Sequence, residues 1–424
     1  MNKKKNYTND YIFLGFLILL NVMNFVDRTL LISFSNFIVP ELELKNWQFA
    51  LLTGIGFLFF YSIMGIFMGI LADKFHRPRL IAVGVLLWSL LTSVSGAARS
   101  FVGLLIPRMF IGVGESILTP TSISILSDRF PSNKMGFITG AYYMGIPIGV
   151  GVSLLIAGYL GPSIGWRTCF YVLGAVGVVL AAIMYFVKET PRVLEEQDKD
   201  QDKKINLKEI SKDIFHALKS SPALTLCIYG GVAIHLVLGA AAFDQLWLVR
   251  ERGFDRAEIA QITGYIGVSA GVLGNLFGGI GSDWFTEKFK LGRPMFLFWI
   301  ILIIFPLGIA GRLVAPDSIV FWIAIILGFF QLGTLYGPIF STVQELAPVK
   351  IRATVVAFFI LNLNLVGMFV GTTGAGILLD ILIGMGIEEP YTKTLLFFTV
   401  LSGILALPLF WFAGIVYKKE RKGL

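Results

Sequence analysis

Charge is scarce in this chain. Asp, Glu, Lys and Arg make up 15% of the 424 residues, against roughly 25% in a soluble domain, which excludes a water-soluble globular protein. Cysteine is limited to Cys169 and Cys227, both inside apolar runs, so there is no disulfide framework and little to say of redox compartment. There are three histidines, and no two stand four residues apart. Cysteine pairs, a phosphate-cradling loop and a Ser/His/Asp set are also missing. "GVGES" at 112–116 copies only the letters of a nucleotide loop, without its Lys or its preceding strand. Neither an enzyme, a metal nor a cofactor is expected. Period-two alternation is absent, which argues against a transmembrane barrel.

What the chain has is apolar length. Its hydrophobic content is 56% and its mean hydropathy +0.78. Twelve apolar segments reach spanning length, at about 11–39, 49–72, 79–98, 101–127, 135–160, 167–188, 222–249, 258–284, 294–313, 317–344, 352–379 and 392–417. "MNKKKNYTND" runs straight into the first of them without a small-residue cleavage site, so a retained first helix is expected. The predicted fold class is an all-α integral membrane protein of twelve transmembrane helices in two six-helix bundles. The 46 glycines suit close helix contacts in lipid.

An even number of spans puts both termini on one side. Of the 35 Lys and Arg residues, 25 fall on that side and eight on the other. The bias predicts a multi-pass protein of the cell membrane with cytoplasmic termini. It also accounts for most of the net charge of +8 together with anionic membrane lipids, so no nucleic-acid partner is needed. Two basic residues remain inside the hydrocarbon region, Arg28 and Arg108. The only long polar stretch, 188–220, divides the chain into an N-terminal bundle (1–188), a linker (189–220) and a C-terminal bundle (221–424). Leu207, Ile210, Ile214, Phe215 and Leu218 are helically spaced, so the linker reads either as plain solvated chain or as a surface helix over its last part.

The halves echo one another. "GILADKFHRPR" (69–79) follows helix 2, and "GIGSDWFTEKFKLGRP" (279–294) follows helix 8. Likewise "SDRFPSNKMG" parallels "QELAPVKIRA". Repeats of six spans in one orientation mark a large transporter class. Pattern and position together resemble the loop between helices 2 and 3 of the major facilitator superfamily. Gly69, Asp73 and Arg77 keep the frame of that loop, with Lys74 in place of the usual Arg and Pro78 within the basic cluster. The resemblance implies a latch between halves that stabilises the outward-open state. Asp73 would accept from helix N–H groups of the other half or pair with a base, and Arg77 and Arg79 would supply bases and contact lipid phosphates.

A charge at the bilayer centre costs about 2.5–3.5 kcal/mol even on lenient scales and usually faces the bundle interior. At about 100° per residue, Asn21, Asn24 and Arg28 share one narrow face of helix 1, with Asp27 beside it. Such a stripe lines either a cavity or a helix contact. Arg108 and Glu115 lie seven residues apart, so they face the same way roughly 10.5 Å apart along helix 4. That is too far for an easy pair along the helix, and it suits a cavity shared with Asp27 and Arg28. Gly112 and Gly114 admit close neighbours, and Pro120 should loosen the helix below.

"NxxNFVDR", "RxxxGxGE" followed by "PT…SDxFP", "GWR" opening helix 6, and the sequence from 343 to 367 together resemble the Spinster family within that superfamily. This resemblance implies a transporter of lysophospholipid or sphingoid-type lipids, with Arg28 and Arg108 as anion binders. Asp27 and Glu115 are its proton-coupling candidates, and the helix 11 sequence "GTTGAGILLD" departs from the pattern. In the second half His235, Gln331, Tyr336 and Asn362 are candidate substrate contacts. Asp244, Gln245, Asn275 and Asn364 complete the polar set, each with interhelical hydrogen bonding as the bland alternative. The expected function is alternating-access transport of an amphipathic, lipid-like anion, with protons and membrane lipids as partners and a monomeric protein. The rivals are proton-coupled transport of small sugar acids or aromatic carboxylates, and a non-transporting receptor or lipid scramblase of the same fold.

Overall fold

The computed structural model describes residues 8–131, 134–192, 207–348 and 351–422. Among them helix is the only regular structure. The helices form twelve spans: α1 (Thr8–Ser33), α2 (Asn46–Thr53 and Ile55–Lys74), α3 (Arg77–Gly96), α4 (Phe101–Arg129), α5 and α6 (together Met135–Tyr185), α7 (Pro222–Arg250), α8 (Arg256–Phe289), α9 (Arg293–Leu313), α10 (Ile319–Leu346), α11 (Thr354–Gly384) and α12 (Pro390–Glu420). No loop separates α5 from α6. Gly165 (φ 78°, ψ 155°) breaks the run there, in a conformation that side-chain-bearing residues rarely adopt.

Apolar length makes these segments spans, and polar residues at their ends fix where they start. Ser100, Ser221, Asp255 and Ser318 each accept a backbone N–H of the helix they precede, satisfying donors that a helix N-terminus otherwise leaves open. Pro78, Pro222 and Pro294 sit in first turns, where a missing N–H does no harm. The first expected span, 11–39, is divided: α1 stops at Ser33 and a separate short helix covers Ser35–Glu41. α4 is interrupted at Ser116 and Ile117, just before Pro120, the expected loosening point. The end of the linker is a helix, Leu207–Ser220, rather than plain chain. The linker's 193–206 segment lies outside the described residues.

The face of the membrane domain that carries the chain termini is called here the terminal face, and the opposite one the distal face. The internal repeat is visible at the terminal face. Arg77, opening α3, bonds Asp128 at the end of α4 (2.5 Å) and Glu189 after α6 (3.0 Å). Arg293, opening α9, bonds Asp283 at the end of α8 and Glu345 at the end of α10, both at 2.8 Å. None of these ties joins the two halves.

The two halves meet at the distal face. One core cluster there draws on both halves, joining Phe34 and Phe49 to Phe243, Trp247 and Phe398. Towards the terminal face the core divides into one cluster built on Phe13, Trp88 and Tyr142 and another built on Cys227, Phe359 and Phe410. Bonds between halves follow the same pattern. Asn46 and Trp47 at the start of α2 donate to Asp380 near the end of α11. Tyr391 donates to Asn46 (3.0 Å), and Asn36 donates to the Gln245 carbonyl (2.8 Å). Gly151 in α5 and Gly264 in α8 let the two helices touch backbone to backbone. The molecule is therefore sealed on the distal side, and the halves part towards the terminal side.

Candidate functional site

The polar centre of the first half is assembled by α1, α2, α3 and α4. Close approach makes it possible. A Cβ on Gly112 would lie 2.7 Å from the Phe57 carbonyl oxygen, and one on Gly114 would lie 3.0 Å from that of Gly84. So α4 is drawn against α2 and α3, and its charged side chains reach α1.

Arg28 donates from Nε and Nη2 to Glu115 Oε2, both at 3.1 Å. Its guanidinium lies over Tyr61 (4.2 Å to the ring centre), Phe25 (4.7 Å) and Phe57 (5.0 Å). The planar cation is held by an acid at one edge and by aromatic faces around it, an arrangement suited to Arg and not to Lys. Arg28 keeps 19% of its side chain exposed, whereas that of Glu115 has none. Arg28 is thus the accessible cation of this centre. The other Glu115 oxygen, Oε1, has no hydrogen-bond partner among the described residues.

Arg108 departs from the expected anion-binding role. It is buried, and its guanidinium donates to the backbone carbonyls of Asp27 (3.3 Å) and Arg28, with Phe57 under it at 4.6 Å. It clamps α1 to α4. Asp27 points elsewhere, accepting from the Thr92 hydroxyl of α3, which also lies 2.9 Å from the Trp88 carbonyl. Asp27 and Arg28 therefore hold different partners, as their angular separation on α1 implied.

Asn21 also departs from the expected substrate wall. It has no exposed surface, donates to the Tyr142 carbonyl at 2.8 Å, and packs against Gly145, so it serves the α1–α5 contact. Asn24 is buried beside the centre, and its amide nitrogen has no partner among the described residues. In the second half His235 is buried. Its Nδ1 lies 2.7 Å from the Gly231 carbonyl, and its ring meets Tyr336 edge-on at 5.7 Å. Tyr336 also lies within electrostatic reach of Arg28 and Tyr61. Asn362 turns back to the Phe358 carbonyl of its own helix (2.7 Å), leaving its amide nitrogen satisfied without a ligand.

Gln331 lines a cavity of about 210 Å³ enclosed by α7–α10 and α12, and His235 is not part of its wall. Its wall is mainly apolar, including Ile234, Leu238, Trp247, Phe305 and Phe329, and Asp244, Gln245, Thr263 and Arg312 supply its polar groups. Asp244 is paired with Arg312 at 2.7 Å.

Of the loop motif, Arg77 is buried and bonds Ser124 and Asp128 of the first half and Glu189 and Thr190 at the start of the linker, so it neither bridges the halves nor reaches lipid phosphates in this state. Gly69 and Asp73 belong to the last turns of α2, and their surroundings lie outside the described residues. Sequence reading missed Tyr61, Thr92 and Asp380. A tyrosine within "FLFFYS" and a threonine within "SLLTSVSG" carry a weak signal of buried polarity, and Asp380 stood only as the final letter of a departing motif.

Twelve helices with internal repeats, sealed at one face and enclosing buried charge, define a polytopic membrane transporter. The Major Facilitator Superfamily model matches residues 17–372, and the chain belongs to that family. An MFS-type efflux pump of Mycolicibacterium smegmatis is 27% identical, covering 96% of this chain and 93% of the relative. A hexuronate transporter of Bacillus subtilis is 25% identical over 78% of this chain and 79% of its own length. Among solved structures, a bacterial homologue of the human lysosomal transporter Spinster, inward-facing and unoccupied, superposes with a TM-score of 0.80 at 24% identity. That match covers 98% of this chain and 99% of the other. The chain is Spinster-like in fold as well as in motif.

Proposed function

We propose that this chain is a secondary active transporter that moves an anionic amphipathic substrate, of lysophospholipid or sphingoid type, together with a proton. The observation that carries the reading is Arg28: a reachable guanidinium in an aromatic box, whose present anion is the side chain of Glu115. A substrate phosphate or carboxylate competes with Glu115 for that guanidinium. Once displaced, the Glu115 carboxylate is a buried charge without its cation, a state costing several kcal/mol. Taking up a proton relieves it, so anion and proton are carried in the same conformational state. Asp27, held by Thr92, is the second proton candidate. The apolar cavity of the second half supports the amphipathic reading because it gives a hydrocarbon tail somewhere to lie.

Alternating access follows as rocking of the bundle 1–188 against the bundle 221–424, joined by the linker 189–220. The sealed distal face corresponds to a state open towards the termini. The Lys and Arg bias supports cytoplasmic termini in the cell membrane, and one chain forms the complete site. Protein reconstituted in liposomes tests the reading. An imposed pH gradient should drive uptake of a lysophospholipid, and Glu115→Gln should remove the gradient's effect. Unchanged pH dependence in that variant refutes the coupling role.

A second reading is favoured by Asp244, Gln245, Thr263, Gln331 and Arg312, which give the second-half cavity polar groups suited to a hydroxylated acid. The similarity to a hexuronate transporter supports it. A thermal-shift comparison of lysophospholipids with glucuronate separates the two, because a ligand that binds only the folded protein raises its melting temperature.

A further inference from the structure

We propose that the outer wall of the second half carries a binding site for an anionic phospholipid of the terminal-face leaflet, between α9 and α12. The two helices leave a cleft of about 410 Å³ there, lined by Met295, Trp299, Trp411, Gly414, Lys418 and Lys419 among others. The cleft is independent of the buried charge centre, and its occupant does not depend on what the protein transports.

The order of residues along α12 matches a lipid standing in a leaflet. Trp411, Ile415 and Lys418 are four and three residues apart, so they form one stripe. Lys418 lies two turns, roughly 10.5 Å, nearer the terminal face than Trp411. Trp299 on α9 faces the same cleft, and the two indoles are 44% and 38% exposed. Gly414 keeps the floor shallow: a Cβ there would lie 2.8 Å from the Met295 methyl carbon. An apolar slot flanked by indoles, with ammonium groups at its outer end, fits an acyl chain below and a phosphate above.

Charge complementarity selects the headgroup. Lys418 and Lys419 are exposed, and no ion pair involving either occurs among the described residues. The neighbouring acids are engaged elsewhere. Glu420 accepts from Ser221 Oγ (2.8 Å) and the Ala223 N–H (3.1 Å), capping α7. Glu345 accepts from Arg293 and Tyr417. The cleft mouth is left positive at the terminal-face end of α12, just past its apolar stretch. Each Lys near an anionic membrane surface contributes about 1 kcal/mol, so the pair favours an anionic over a zwitterionic headgroup by about 30-fold. The same two helices wall the internal cavity through Phe305 and Ser402, so an occupied cleft braces that cavity from outside.

The test uses the full-length protein in phosphatidylcholine nanodiscs, titrated with brominated phosphatidylglycerol and followed by tryptophan fluorescence. Quenching should saturate at low mole fraction, and the double variant Trp299→Phe, Trp411→Phe should remove the saturating part of it. The double variant Lys418→Gln, Lys419→Gln should weaken it about 30-fold, while Lys418→Arg, Lys419→Arg retains it and controls for folding. Equal quenching by brominated phosphatidylcholine, or an unaltered titration in the Gln double variant, overturns the proposal. Competition by inorganic phosphate as effective as by unlabelled phosphatidylglycerol also overturns it, because the site would then read phosphate and not lipid.

Discussion

Replacing Asp380 with Asn removes one negative charge and at least one acceptor from the distal seal. In the wild-type protein Oδ1 accepts from the Asn46 N–H (3.2 Å) and Asn46 Nδ2 (2.9 Å), and Oδ2 accepts from the Trp47 N–H (2.9 Å). The acid thus sits on the first turn of α2, where the helix dipole favours negative charge by about 0.3–1 kcal/mol. A hydrogen bond to a charged group adds about 1.5–3 kcal/mol. The site is half-exposed, so the low ends of these ranges apply, and the sum is about 2 kcal/mol. Because the acceptor is in one half and the donors are in the other, the loss falls on the distally closed state alone. Opening it should become easier by about 30-fold. Spin labels at Lys45→Cys and Met385→Cys, on opposite sides of the seal, would read this as growth of a longer distance in pulsed electron resonance. Asp380→Glu should restore part of the short population. An unchanged distance distribution in a folded Asp380→Asn protein refutes the idea that this carboxylate holds the halves together.

Arg28→Lys keeps the charge but loses the fork and the ring stacking, so substrate affinity should fall about tenfold in a binding titration. Gly112→Ala places a methyl 2.7 Å from the Phe57 carbonyl; overpacking of that kind costs about 1–3 kcal/mol and should lower the melting temperature. At the distal edge, burial pushes the Glu41 carboxyl up, but bonds from Trp166 and Arg167 outweigh it and hold the carboxyl below its ordinary range. A depressed acid stabilises the fold above its unfolded pKa of about 4.5, and that share is lost as pH falls through the lower folded value. Melting temperature should therefore drop less between pH 6 and pH 3.5 in Glu41→Gln than in the wild type.

Span number, repeat and the buried charges were legible because each has a large energetic signature. An apolar run of spanning length has few alternatives, and a charge in hydrocarbon needs a partner. The helical wheel also separated Asp27 from Arg28 correctly, since direction along a single helix depends on local geometry alone. Partner identity was not legible. Arg108 meets two α1 carbonyls and Asn21 meets the Tyr142 carbonyl, and backbone acceptors have no letter in a sequence. Thr92 and Asp380 were missed for the same reason: their importance comes from what another helix brings to them. Arg77 kept its motif while its partners proved to lie in its own half and at the start of the linker, because a motif does not state which conformational state will be occupied.

The pair α2 and α11 links the site to the seal. They meet at three levels: Asn46 with Asp380, Ala50 and Gly54 with Gly376 and Thr372, and Ser62 with Asn364 (3.2 Å). Tyr61, the residue before Ser62, lies 4.2 Å from the Arg28 guanidinium. Asn364 lies in a π-helical turn of α11, Leu363–Met368, whose Gly367 packs against His235. A substrate that moves Arg28 therefore disturbs α2 one residue from its bond to the other half, at a point where α11 has already left regular helix. Such wide turns recur at functional sites and bends. The Ser62–Asn364 bond is a neutral interhelical one, worth about 0.6 kcal/mol in membrane proteins, so it tunes the equilibrium while Asp380 dominates it. Asn364→Ala should then alter the ratio of distally closed to distally open states about threefold, with substrate affinity for the distally closed state unchanged. If Asn364→Ala instead weakens substrate binding and leaves the distance distribution as it was, Asn364 is a ligand contact and the α2–α11 linkage is wrong.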